Sequence, residues 1–233
     1  MDNAKQRLIV ALDFPTPGVA EKLVSELGDN VNIYKVGLEL LYSGGTELAQ
    51  KLVGEGKSVF IDAKLLDIGN TVEAAVRQIA KLGATFLSIH GTDRKTMTAA
   101  VSGRGDYSLK LLAITVMTNL DQQDLNQQGI SATPEEMVLK RAEMSLNCGF
   151  DGIVSSAHEA SVLRQSLGGN FSIVTPGIRP RGSDSGDQSR IMTPSEALGG
   201  GASHLVVGRP ITKAPDPRSA ALAILEEMTT VLG

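Results

Sequence analysis

The sequence predicts an α/β fold, a single (β/α)8 barrel spanning 1–233, and three observations carry that expectation. Eight short β-rich apolar runs alternate with longer amphipathic stretches. Strand then helix, repeated, implies parallel strands with helices laid over them. The length, 233 residues, is close to that of eight such units closed into a barrel. A doubly wound open sheet is the competing architecture. Its dinucleotide-binding form carries a G-x-G-x-x-G turn after the first strand, where Asp13-Phe14-Pro15 stands instead.

In chain order, the first run is Leu8-Ile9-Val10-Ala11-Leu12, and a segment with helically spaced apolar positions follows at 20–27. The second run is Ile33-Tyr34-Lys35-Val36 and the third is Val59-Phe60-Ile61, with a helix predicted at 72–82. Phe86-Leu87-Ser88-Ile89 and Leu111-Leu112-Ala113-Ile114 come next, followed by a helix at 134–146. Ile153-Val154, Ile173-Val174 and Leu205-Val206-Val207 complete the eight, and a last helix is expected at 219–232. No linker, charge block or low-complexity tract divides the chain. The polar, Gly-rich stretch at about 179–190 follows the seventh strand. It reads either as a solvated surface loop or as a mobile lid, since lids occur at the C-terminal ends of strands.

Composition removes several function classes. Lysine and arginine number 22 against 26 acidic residues, a net charge of −4. An electrostatic nucleic-acid binder needs a basic face, and 3% aromatic residues without Trp give little for stacking on bases. The one cysteine, Cys148, can neither form an internal disulfide nor build a cysteine-based zinc site. The polar start, Met1 to Arg7, does not resemble a secretory leader. No run of 18 apolar residues is present to span a membrane. A cytoplasmic protein with no nucleic-acid or membrane partner is expected.

Active sites of such barrels gather at the C-terminal ends of the strands. There the sequence places Asp13, Lys35, Asp62, Lys64, His90, Thr118, Ser155-Ser156, Pro176-Gly177 and Gly208-Arg209. Asp62 and Lys64 are two apart on one strand and so face the same way. Lys35, on the neighbouring strand, reaches the same space, and a carboxylate between two ammonium groups keeps all three ionised. Asp67 adds a fourth charge of alternating sign. A structural ion-pair network is the plain alternative, but four such charges near one pocket weigh toward chemistry. Loops after strands seven and eight often hold phosphate, because glycine lets backbone N–H groups approach the oxygens. Gly177 and Gly208 fall there, Arg209 adds a planar cationic fork, and Gln188 in the long loop is placed to close over the anion.

The run Asp62-Ala63-Lys64-Leu65-Leu66-Asp67-Ile68-Gly69-Asn70-Thr71-Val72 resembles the D-x-K-x-x-D-I-x-x-T-V signature of orotidine 5′-phosphate decarboxylases. The likeness extends over nearly the whole chain. Ala11-Leu12-Asp13, Tyr34-Lys35-Val36-Gly37, Thr115-Val116-Met117-Thr118, Thr175-Pro176-Gly177-Ile178-Arg179 and Val207-Gly208-Arg209-Pro210-Ile211-Thr212 occur in the family's order. Leu66 replaces a frequent His and Gly69 a frequent Pro, and neither position carries charge.

The resemblance implies cofactor-independent decarboxylation of orotidine 5′-phosphate to UMP, with no metal. It implies Lys64 as proton donor and Asp62 against the substrate carboxylate. Lys35 would bridge Asp62 and the ribose, and Asp13 would bind a ribose hydroxyl. Thr118 would hydrogen-bond the pyrimidine edge, and Pro176 would line the mouth. Gln188 and Arg209, with backbone from Gly208, would hold the phosphate, and Arg179 belongs to the substrate-binding set. Asp67, Ile68 and Thr71 would enter a neighbouring subunit's site, which implies a homodimer. Two other functions compete: a Mg²⁺-dependent sugar-phosphate lyase with the same Asp-x-Lys-x-x-Asp core, and a non-catalytic phosphometabolite-binding barrel. His90 is expected either to hydrogen-bond at the rim or to be structural. His158, His204, Cys148, Ser155 and Ser156 are expected to be non-catalytic, with Cys148 packed within a helix.

Overall fold

In the computed structural model, which describes residues 1–180 and 192–232, eight parallel strands close into a barrel. They are β1 (Leu8–Ala11), β2 (Ile33–Gly37), β3 (Ser58–Leu65), β4 (Phe86–His90), β5 (Lys110–Ile114), β6 (Gly152–Val154), β7 (Ser172–Thr175) and β8 (His204–Val207). Each pairs with its successor, and β8 returns to β1 through Leu8↔Leu205 and its neighbours. A helix follows every strand: α1 (Pro17–Leu27), α2 (Thr46–Gly54), α3 (Gly69–Leu82), α4 (Arg94–Arg104), α5 (Pro134–Asn147), α6 (Ala157–Leu167), α7 (Pro194–Gly199) and α8 (Pro217–Leu232).

The eight expected strands all form. β3 departs most from its expected extent, running past Ile61 to Leu65 because its charged residues continue the strand into the barrel mouth. The chain keeps two apolar layers apart. Leu8, Val10, Tyr34, Val36, Val59 and Ile61 point outward beneath the helices. Ile9, Ala11, Ile33, Phe60, Phe86, Leu112, Val174 and Val206 fill the barrel interior. That division is the period-2 alternation of strands buried on both faces.

Local chemistry fixes where helices begin and end. Thr133 and Thr193 each open a capping box with the glutamate three residues on, Glu136 and Glu196, and proline stands at the first helical position of both α5 and α7. α3 buries Val72, Val76 and Ala80 at four-residue spacing and ends at Gly83 in the left-handed conformation. Cys148 is not inside a helix as expected: it caps the C-terminus of α5, half-buried against the core. No helix among the described residues is long and apolar enough to cross a membrane.

Candidate active site

The interior layer explains which side chains meet at the mouth. Two residues beyond each inward apolar position, the chain presents the next inward group. Ala11 leads to Asp13, Ile33 to Lys35, Phe60 to Asp62, Phe86 to Ser88, Val174 to Pro176 and Val206 to Gly208. Above this layer lies a cavity of about 580 Å³. Asp13, Lys35, Asp62 and Lys64 line it together with Thr118, Pro176, Arg179, Gly208 and Arg209. Phe60, Ile114, Val154 and Val206 give it an apolar side.

The charged residues form a connected chain. Lys35 Nζ donates to Asp13 Oδ1 at 2.9 Å and lies 3.3 Å from Asp62 Oδ2. Lys64 Nζ lies 2.8 Å from the same Oδ2. Lys35 and Asp62 are 8% and 9% exposed, so their charges persist only as a set. Burial works to raise the Asp62 carboxyl, but Lys35, Lys64 and the Ser88 hydroxyl together hold it below the ordinary carboxylate range. Burial likewise works against the Lys35 ammonium, and the Asp62 and Asp13 carboxylates outweigh it, leaving that pKa raised. Gly37 makes room for this contact. A Cβ there would come within 2.8 Å of Asp13 Oδ1 and 3.0 Å of Lys35 Nζ.

Asp62 and Lys64 meet as expected, but simple strand alternation is not what brings them together. Ile61 faces Leu87 on β4 while Leu65 faces Ile89, so β3 bulges between them. Lys64 has φ 48°, the one described non-glycine residue with positive φ. Such a conformation costs on the order of 1 kcal/mol and persists where its surroundings over-determine it. The Lys64 N–H donates to Ser88 Oγ at 3.0 Å, and Ser88 Oγ donates to Asp62 Oδ1 at 2.7 Å. Sequence reading missed Ser88, although its inward phase two residues after Phe86 was the available signal.

Asp67, Ile68 and Thr71 do not join this cavity. All three are exposed, Asp67 and Ile68 on the connection from β3 into α3 and Thr71 in the first turn of α3, and Asp67 Oδ1 accepts from the Ile68 N–H at 2.6 Å. The expected fourth charge therefore lies outside the chain's own pocket, because the strand ends at Leu65 and the chain turns outward. Arg179 is buried at the pocket wall, with Nη1 donating to the Ile178 carbonyl at 2.9 Å. Gln188 and all but the first two residues of the 179–190 loop lie outside the described residues. Gly177 takes φ 79°, the left-handed turn that glycine tolerates.

The remaining candidates sit apart from the reacting space. His90 ends β4 half-buried. Burial, then Lys64 and Arg141, push its pKa down, so it is neutral near pH 7. His204 starts β8 at the opposite end of the barrel, edge-on to Phe86 at 5.2 Å, with burial, Lys110 and Arg7 taking its pKa to about 4. Ser155 Oγ donates to Glu159 at 2.7 Å, as part of the start of α6. Among the described residues, no group of three or more His, Cys, Asp or Glu side chains is placed to hold a metal ion.

The model of the orotidine 5′-phosphate decarboxylase / HUMPS family matches residues 6–224. The chain belongs to that family. It is 53% identical, over 97% of its length and 96% of the relative's, to a protein of Afipia carboxidovorans named orotidine 5′-phosphate decarboxylase. Its fold superposes on the crystal structure of orotidine 5′-phosphate decarboxylase from Lactobacillus acidophilus with a TM-score of 0.84. Identity there is 37%, covering 95% of this chain and 98% of that one. An uncharacterized conserved protein from Geobacillus kaustophilus superposes with a TM-score of 0.81 at 31% identity, covering 95% and 99%.

Proposed function

We infer that this chain decarboxylates orotidine 5′-phosphate to UMP and CO₂, the last step of de novo UMP biosynthesis. The observation that carries the reading is the Lys35–Asp62–Lys64 cluster, which opens on the same cavity as Arg209 and Gly208. It puts a proton-bearing ammonium and an anion-binding arginine on one small space.

The chemistry asks for that arrangement. When the bond from ring carbon 6 to the carboxylate breaks, its electron pair stays on carbon 6 in an in-plane orbital that the ring π-system does not delocalise. Stabilisation must come from fixed charges in a water-poor site. Lys64 points its ammonium at that carbon, balances the developing charge, then transfers a proton to it as CO₂ leaves. Asp62 lies against the substrate carboxylate, while Lys35 and Asp13 take the ribose hydroxyls. Thr118 hydrogen-bonds the pyrimidine edge, Pro176 lines the mouth, and Arg179, Gly208, Arg209 and Gln188 serve the phosphate end. The whole chain, 1–233, works as one domain without a cofactor.

Two finer readings belong with this proposal. Ile68 is an apolar side chain left 73% exposed beside Asp67 and Thr71, outside the chain's own cavity. A homodimer in which these three complete a second copy's site accounts for that exposure. Mixing Lys64→Ala and Asp67→Ala subunits, each nearly inactive, is expected to restore up to about a quarter of wild-type activity, since half the dimers carry one intact site. Mixtures no more active than their components would rule out sharing. The single unpaired cysteine, half-buried Cys148, accords with a cytoplasmic location.

Metal dependence separates this reading from the sugar-phosphate lyases. Protein treated with EDTA is expected to consume orotidine 5′-phosphate at the untreated rate, followed by its ultraviolet absorbance. No consumption, with Mg²⁺-dependent turnover of keto-sugar phosphates instead, would overturn it.

A further inference from the structure

We propose that Ser88 is a positioning residue for the reaction, holding the Asp62 carboxylate and the strained Lys64 backbone in the one arrangement that sets the Lys64 ammonium on Asp62, a role that rests on the decarboxylase reading above. Ser88 is fully buried on β4. Its hydroxyl has one proton to give, and its two neighbours differ in kind. The Lys64 N–H can only donate and the ionised carboxylate can only accept. The Ser88 proton therefore points at Asp62 Oδ1, and its lone pair faces Lys64 N.

This divides the work between the two carboxylate oxygens. Oδ1 is held by Ser88, and Oδ2 is left to Lys64 at 2.8 Å and Lys35 at 3.3 Å. Without the hydroxyl, the carboxylate is free to turn and share the ammonium groups between both oxygens. On the backbone side, the β3 bulge takes the Lys64 N–H out of the strand ladder, and Ser88 receives it. One hydroxyl thus anchors the proton donor at its main chain and at its counterion, without entering the lining of the cavity. Catalytic placement has little tolerance, and a misplacement of about 1 Å is worth about 10²-fold in rate.

The test uses Ser88→Ala and Ser88→Cys in the full chain. Cysteine keeps the volume but bonds weakly, so it separates hydrogen bonding from packing. Both variants are expected to lose about 10- to 100-fold in kcat while UMP binding changes by less than about threefold. In the unliganded protein, the Asp62 carboxyl titration, followed by ¹³C NMR, is expected to move to higher pH in both. The titratable groups that face Asp62 (Lys35 on β2, Lys64 on β3 and the neutral His90 on β4, with Asp13 behind Lys35) are present in every variant. A Cys variant with wild-type kcat, or an Asp62 midpoint unmoved in both variants, would overturn the role. If wild-type protein fails to consume orotidine 5′-phosphate, the decarboxylase reading falls by itself, and the Asp62 titration still decides whether Ser88 holds the cluster.

Discussion

Lys64→Ala is expected to lower kcat on orotidine 5′-phosphate by about 10⁴-fold or more, because the ammonium has two tasks at carbon 6. It offsets the charge that develops as CO₂ departs, and it supplies the proton that ends the reaction. UMP binding should change by less than about tenfold, since neither task is performed on the product. The variant is not expected to unfold. Lys64 is only partly buried, and Lys35 at 3.3 Å still accompanies the Asp62 carboxylate when Lys64 is gone. Lys64→Arg offers a sharper comparison. It keeps a positive charge but does not give up its proton in this pH range. If charge alone mattered, arginine would restore most of the rate; if proton transfer is required, it stays near alanine. Steady-state turnover and UMP titration on the three proteins read out each point. A Lys64→Ala enzyme within about tenfold of wild type would remove Lys64 from the chemistry.

Much of this site was legible because strand alternation is a hard geometric rule. The inward phase set by Ile33 and Phe60 turns Lys35 and Asp62 toward the same mouth, although Lys35 lies level with Phe60 and Asp62 one inward step further on, level with Gly37. The Lys64 contact was predicted by that rule yet is made by other means, a bulge and φ 48°. Neither leaves a mark in the sequence, since lysine is a poor residue for that conformation. Ser88 was hidden for the opposite reason: a serine in an apolar strand is unremarkable until Lys64 N–H is known to need a partner. Asp67 shows a third limit. Spacing gave its charge but not its direction, because where β3 stops decides which way it faces. Among the helices, α3 announced itself by Val72, Val76 and Ala80, whereas α4 did not. α4 packs closely on α3 by way of Gly103, where a Cβ would collide with the Glu73 backbone, and a small residue chosen for closeness has no periodicity to read.

Arg209→Ala is expected to lower kcat/KM on orotidine 5′-phosphate by about 10³-fold, roughly 4 kcal/mol at the transition state, although Arg209 does not act on carbon 6 in this mechanism. Enzymatic rate enhancements reach about 10¹⁷-fold, near 23 kcal/mol, and general acid catalysis accounts for only 10²- to 10⁴-fold of that, roughly. The rest must come from ordering and desolvating the pyrimidine end, and the phosphate is where this ligand offers strong binding energy for that purpose. Arg209 lines the same cavity as Lys64 and Asp62, so a phosphate held there fixes the sugar and ring relative to both. The decisive comparison is the nucleoside orotidine, which lacks the phosphate. Wild type and Arg209→Ala should process it equally slowly, because orotidine offers no phosphate for the guanidinium to hold. A variant equally impaired on both substrates would mean that Arg209 holds the barrel rim and not the phosphate. An unchanged kcat/KM on the phosphorylated substrate would sink the assignment outright. If the loss appears only with the phosphate present, the double comparison measures the coupling between the two ends of the substrate directly. Remote binding energy is then what makes a single lysine sufficient at carbon 6.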